Sequence, residues 1–176
     1  GALDAASSRL VGFTPLPYFS GSAWQGGTSY PDASLGWVQL SAEGGHPGND
    51  TAHAAVRRWT APRDGIYRIH SRLTHEPTVG DGIHVAIVHS AAGILSDCAL
   101  HHDTLEMNHT DIKFTAGQTL DFVVDIKEVL NSDQYLWPVT IDEMNATEQI
   151  DASPAWDSVQ DFPNSEPQQL SGWEQL

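Results

Sequence analysis

Between residues 66 and 74 the chain alternates strictly. Tyr67, Ile69, Ser71 and Leu73 fall on one side, and Arg68, His70 and Arg72 on the other. A period of two sends successive side chains to opposite faces, so this segment predicts an antiparallel strand with one face in a core and one in solvent. The neighbouring segments repeat the theme. A strand over 54–61 is stopped by Pro62 and the turn Arg63-Asp64-Gly65. Gly80-Asp81-Gly82 turns the chain into a strand over 84–90, where Val85 and Ile87 alternate with Ala86 and Val88. The segments 110–115 and 119–127 predict a hairpin around Ala116-Gly117-Gln118, with Ile112, Phe114, Leu120, Phe122 and Val124 inward. A strand over 135–141 directs Trp137, Val139 and Ile141 inward, and earlier strands are expected over 10–13 and 36–41. Short strands with turns about every ten residues, and no strong helical period, predict an all-β, antiparallel two-sheet β-sandwich of jelly-roll-like form. A single short helix is expected over 171–176.

Charge divides the chain. Residues 142–176 carry eight carboxylates and no Lys or Arg, and so read as an acidic polar tail or linker (143–176) behind a sandwich domain (1–142). Ile150, Trp156, Phe162 and Trp173 are the residues able to anchor that tail, which is expected to add little to the core. A net charge of −15 argues against nucleic acid as a partner. No run approaches the ~20 apolar residues of a membrane-spanning helix. The opening Gly1-Ala2-Leu3-Asp4 lacks the basic start and apolar stretch of a signal peptide, so the chain reads as a mature or excised piece. One cysteine, Cys98, leaves no internal disulfide and no multi-cysteine metal motif.

Four groups of residues could carry chemistry. The loop Glu43-Gly44-Gly45-His46-Pro47-Gly48-Asn49-Asp50 is rich in glycine, which permits sharp turns and close approach of a ligand; His46 and Asn49 offer hydrogen bonds to hydroxyls. Five of the eight basic residues lie between positions 57 and 72. Arg68, His70 and Arg72 share a strand face that Arg57 is expected to join, and an arginine fork suits a carboxylate or sulfate. Cross-strand pairing with the many acids of the chain is the competing reading. Among the aromatic residues Trp24, Trp37, Trp59, Trp137, Tyr18 and Tyr30, Trp24 is expected to be exposed beside Gln25-Gly26-Gly27 and able to stack on a flat ligand. Finally, His101-His102-Asp103 and His109 match no metal motif and read as a solvated loop, whereas loop oxygens from Asp50 and Asp81 would suit Ca²⁺. No Gly-x-Ser-x-Gly elbow or cysteine-protease signature is present, so the chain is expected not to be an enzyme.

The run Gly44-Gly45-His46-Pro47-Gly48, followed by Ala55-Val56-Arg57-Arg58-Trp59-Thr60-Ala61-Pro62, Asp64-Gly65, Gly80-Asp81-Gly82, Asp121-Phe122-Val123-Val124-Asp125 and Trp137, resembles a domain of unknown function. That domain occurs in large exported planctomycete proteins that also carry cytochrome c-type modules. The tail Leu170-Ser171-Gly172-Trp173-Glu174-Gln175-Leu176 resembles the segment that resumes their C-terminal region. The resemblance implies an exported setting, periplasmic or extracellular, and a sandwich similar to carbohydrate-binding modules. The chain departs from the whole proteins in having no Cys-x-x-Cys-His, so haem attachment does not carry over. The expectation is a non-catalytic carbohydrate-binding module for an acidic or sulfated polysaccharide, with Trp24, His46, Asn49, Arg57, Arg68, His70 and Arg72 at the ligand. The alternative is a structural domain that packs against neighbouring domains of a parent protein.

Overall fold

The structure, a computed structural model, describes residues 2–4, 6–144, 156–163 and 172–176. All regular structure among these residues is β-strand. The strands are β1 (Ala2–Asp4), β2 (Arg9–Val11), β3 (Tyr18–Phe19), β4 (Ala23–Gln25), β5 (Gln39–Ser41), β6 (Gly44–His46), β7 (Ala55–Thr60), β8 (Gly65–His75), β9 (Ile83–His89), β10 (Gly93–Leu100), β11 (Asp103–Glu106), β12 (His109–Phe114), β13 (Thr119–Ile126), β14 (Tyr135–Leu136), β15 (Val139–Glu143), β16 (Trp156–Asp157) and β17 (Trp173–Gln175). One sheet runs β10-β9-β13-β7-β17. The larger one runs β16-β15-β8-β14-β6-β5-β4-β3, with β11 and β12 also paired to β8. Every pairing is antiparallel. The fold is the expected all-β sandwich.

The core lies between the sheets. From β8 come Tyr67, Ile69 and Leu73; from β13 come Leu120, Phe122 and Val124; Trp59, Phe114 and Trp137 fill the space between. Trp59 meets Tyr67, Phe114 and Trp156 edge to face, with centroids 5.1, 5.2 and 5.4 Å apart, the geometry that aromatic quadrupoles favour. A second apolar cluster occupies the outer face of the smaller sheet. Val56, Ala86, Val88 and Val123 are covered there by Leu3, Leu10 and Phe13 from the β1–β2 hairpin and its approach. That cover explains why β9 is apolar on both faces rather than polar on one.

Three expectations are corrected. The segments 110–115 and 119–127 do not form a hairpin. β12 pairs with β8 in the larger sheet, while β13 lies between β7 and β9 in the smaller. The turn around Gly117 (φ 83°) therefore crosses the core, and Ala61 exchanges backbone hydrogen bonds with Gly117 and Gln118 to hold it. A tight glycine turn between two alternating segments reads the same whether it stays in one sheet or arches to the other. Residues 173–175 form a strand, not a helix, because β7 offers them an open edge. Trp173, Glu174 and Gln175 stand opposite Trp59, Arg58 and Arg57, and Leu176 and Val56 exchange both backbone bonds. Nor are the described residues of the acidic C-terminal region, 156–163 and 172–176, marginal to the core. Trp173 is buried against Phe122, Trp156 packs on Trp59 and Tyr67, and the Ser158 hydroxyl accepts from Val139 N. Charge counted along the sequence does not see these three tryptophan contacts. Ile150 lies outside the described residues.

If β17 completes the smaller sheet, Trp173→Ala should lower stability by about 3–5 kcal/mol, the usual cost of emptying a core site of a large aromatic ring. An unchanged urea midpoint would mean that the C-terminal strand is dispensable.

Candidate functional site

The β8 alternation is realised as read. Tyr67, Ile69, Ser71 and Leu73 point inward, and Arg68, His70 and Arg72 share the outer face of the larger sheet. Ser71 is tolerated inside because its hydroxyl donates to Met107 O at 2.7 Å. The outer face is nevertheless charge-balanced. Asp142 stands opposite Arg68 on β15 and takes its Nη2 at 3.4 Å, while Glu106 stands opposite Arg72 on β11 at 3.8 Å. Arg68 Nε is buried without an acceptor, and His70 is exposed opposite Thr140. Each of the two arginines thus has one cross-strand acid within reach.

Arg57 does not join this face. It sits in the sandwich interior at 4 % exposure and donates to Ser41 O, Ala42 O and Gln175 Oε1. Burial lowers its pKa to about 10, so it keeps its charge at neutral pH. Its place inside follows from register: opposite Phe122 on β13, it shares the inward phase of Ala55 and Trp59. Burial also pushes the neighbouring Tyr135 hydroxyl up.

The exposed aromatic rings are not those expected. Trp24 is fully buried on β4, its indole N–H donating to Pro163 O and its ring 5.3 Å from Phe19. The rings that reach solvent are Tyr30 (39 % exposed) and Trp37 (38 %), both in the long β4–β5 connection. They meet edge to face at 5.2 Å, and the Tyr30 hydroxyl donates to Trp37 O at 3.2 Å. His46, at the end of β6, lies 6.0 Å from Trp37. Its Nδ1 donates to Pro47 O at 2.6 Å, which leaves Nε2 as the acceptor in the neutral ring. The exposed Asn49 packs its side chain on Gly36, which has a φ of 64° and no Cβ to obstruct it. Tyr30, Trp37, His46 and Asn49 thus form one corner of the surface, with two ring faces and two hydrogen-bonding groups. Sequence reasoning named His46 and Asn49, but the exposed tryptophan near His46 is Trp37 and not Trp24. Trp37 follows Gly36 and Trp24 lies two residues before Gly26, and the burial of Trp24 involves Pro163, far along the chain.

The glycines of the 43–50 loop serve the fold. A Cβ on Gly44 would lie 1.9 Å from Tyr135 O, so the missing side chain lets β14 pair with β6 rather than letting a ligand approach. Asp50, one of the two predicted cation ligands, closes its own turn by accepting from Ala52 N and His53 Nδ1, and those bonds hold its carboxyl below the usual range. Asp81, the other, accepts Glu128 N at 3.0 Å through Oδ2, while its Oδ1 is buried without a partner. The histidines at 101, 102 and 109 are engaged locally. His102 donates through Nδ1 to Glu76 O and through its backbone N–H to His75 Nδ1, His109 bonds Ser96 Oγ, and the His101 ring packs near His75. Among the described residues no three His, Cys, Asp or Glu side chains come together in a metal-binding group. Among the described residues no helix is long and apolar enough to cross a membrane. Cys98 lies part-exposed on β10, and burial beside Asp97 raises its thiol pKa.

The sequence reading missed an ionic cluster on the outer face of the smaller sheet. His84 on β9 bonds Asp125 Oδ2 at 3.4 Å and Asp97 Oδ1 at 3.0 Å. Chiefly through Asp125, the two carboxylates raise its pKa to about 9, so the imidazolium bridges three strands at neutral pH. At the other end of β13, Arg58 grips Asp121 with two hydrogen bonds, 2.6 and 2.9 Å long.

No family model matches the chain, and no curated protein is similar to it. Among solved structures it is similar to the GITRL of a pika, at 16 % identity over 50 % of this chain and 76 % of that one, with a TM-score of 0.37.

The His84 cluster predicts a direction for stability against pH. The imidazole pKa rises from 6.5 to about 9 on folding, so the contribution is complete below pH 6.5 and is lost as pH climbs through about 9. Chemical denaturation at intervals from pH 6 to 10 should show this decline, and His84→Asn should flatten it. An equal slope in both proteins would detach it from His84.

Proposed function

We propose that the chain is a non-catalytic carbohydrate-binding module whose ligand meets the corner formed by Tyr30, Trp37, His46 and Asn49. The observation that carries this reading is the pair of solvent-exposed rings set edge to face at 5.2 Å, beside a histidine with its Nδ1 proton committed to a backbone carbonyl. Exposed indole and phenol rings offer a large, rigid, partly apolar surface at low entropic cost. The apolar face of a pyranose fits such a surface, and His46 Nε2 and the Asn49 amide supply directional bonds to its hydroxyls. Glu106 and Asp142 already balance Arg68 and Arg72, which removes the ground for preferring an acidic or sulfated polysaccharide over a neutral one. An exported setting is the one in which such a module would meet its ligand.

A second reading, an interaction domain seated against neighbouring domains of a parent protein, draws support from Val79 and Val129. Both are more than half exposed, on two loops that touch at Gly80 and Asn131.

Affinity electrophoresis against neutral and acidic polysaccharides separates the two. On the first reading Trp37→Ala weakens retention about tenfold or more at unchanged melting temperature, the loss typical of a central aromatic anchor. The binding should also be insensitive to salt, because it does not run through the arginines. Silence of the wild-type protein across all polysaccharides would favour the interaction domain. Retention that survives Trp37→Ala and Tyr30→Ala but fails in Arg72→Ala would return the site to the β8 face.

A further inference from the structure

Two turns pack against each other beyond the strand ends. Between β8 and β9 the chain turns through Gly80 and Gly82, with φ of 86° and 89°; between β13 and β14 it turns through Ser132, with φ of 65°. The contact is backbone to backbone, since a Cβ on Gly80 would lie 2.0 Å from Asn131 O. Each turn carries an aspartate held by one oxygen alone. Asp81 Oδ2 accepts Glu128 N, and Asp133 Oδ2 accepts Asn131 N, both at 3.0 Å. The Oδ1 atom of each is buried and has no hydrogen-bond partner. Asp133 is wholly buried, at 0 % exposure.

A carboxylate oxygen removed from water without a donor is strongly unfavourable, and a second one close by adds repulsion. Asp81 and the His46 and His75 rings all lie near enough to Asp133 to act on it electrostatically. No described side chain supplies the missing donor. His75 donates through Nε2 to Ser132 O and accepts His102 N through Nδ1, so both ring nitrogens are engaged. Lys127 Nζ reaches Asp81 O at 3.5 Å and not its carboxylate.

We propose that Asp81 Oδ1 and Asp133 Oδ1 are ligands of one Ca²⁺ ion held where the 80–82 turn packs on the 131–133 turn, with water and backbone carbonyls completing its coordination. The ligand chemistry selects the ion. The buried side-chain atoms left without partners in these two turns are carboxylate oxygens, both nitrogens of His75 are engaged, and a flexible shell of carboxylate, carbonyl and water suits Ca²⁺ better than the strict octahedron of Mg²⁺. With two carboxylates rather than three or four, affinity belongs to the weak range of extracellular modules, roughly 10⁻⁴–10⁻³ M. His46 neighbours both this place and the Trp37 corner, but the test here uses no polysaccharide, so its failure and the failure of the carbohydrate reading are distinguishable.

Thermal melts of the full chain in EDTA and in about 10 mM CaCl₂ or MgCl₂ test the assignment. Since an ion bound only by the native state stabilises it, Ca²⁺ should raise the melting temperature by roughly 3–10 °C. Asp81→Asn and Asp133→Asn should each lose most of that response. Equilibrium dialysis of the wild-type protein should find one ion per chain, which keeps the proposal testable if Asp133→Asn fails to fold. Equal melting temperatures in EDTA and Ca²⁺ with no ion retained in dialysis would overturn the site. A full Ca²⁺ response in Asp81→Asn would overturn its ligands, and an equal response to Mg²⁺ would overturn the choice of ion.

Discussion

A single guanidinium inside the sandwich organises much of what surrounds it. Arg57 leaves β7 toward the interior and binds the carbonyls of Ser41 and Ala42, at the turn joining β5 to β6. Leaving such carbonyls buried and unpaired would be costly. Arg57 therefore ties the smaller sheet to a hairpin of the larger one, a link that apolar packing could make only without direction. Its charge survives because a guanidinium pKa lowered to about 10 still lies well above neutrality. From that anchored hairpin β6 carries His46 to the surface beside Trp37, so the geometry of the aromatic corner descends from a residue with no access to a ligand.

The parts of this fold legible in the sequence are those decided locally. β8 is long, has a single solvent face and repeats its pattern, so its inward and outward residues could be read directly. The unreadable parts depend on partners far away. The turn at Gly117 joins two sheets instead of two neighbouring strands, a choice made by β7 and β8 and not by the turn. Arg57 looked like a member of the arginine face because alternation assigns a side but not a sheet. Trp24 and Trp37 have similar local contexts, yet one is covered by Phe19 and Pro163 and the other is open.

Charge behaves similarly. Counted along the chain, the acids of residues 142–176 suggest a solvated linker. In space, Asp142 balances Arg68 across the sheet and Glu143 balances Arg63 in the turn between β7 and β8. Such exposed or half-exposed pairs contribute little stability individually. Their effect is to remove net positive charge from the β8 face, which matters more to the choice of ligand than to folding.

The place of β17 has a kinetic corollary. It completes the smaller sheet against β7, from which it is separated by on the order of a hundred residues of chain, and Trp59 and Trp173 stand opposite each other across that join. Closing so long a loop costs entropy before any contact repays it, which slows folding in proteins rich in distant pairings. Until the closure is made, β7 offers unpaired backbone beside an uncovered tryptophan, an edge to which another chain could add. The last strand thus does for assembly what a cap does for a helix: it decides how long a half-finished sheet remains open to the wrong partner.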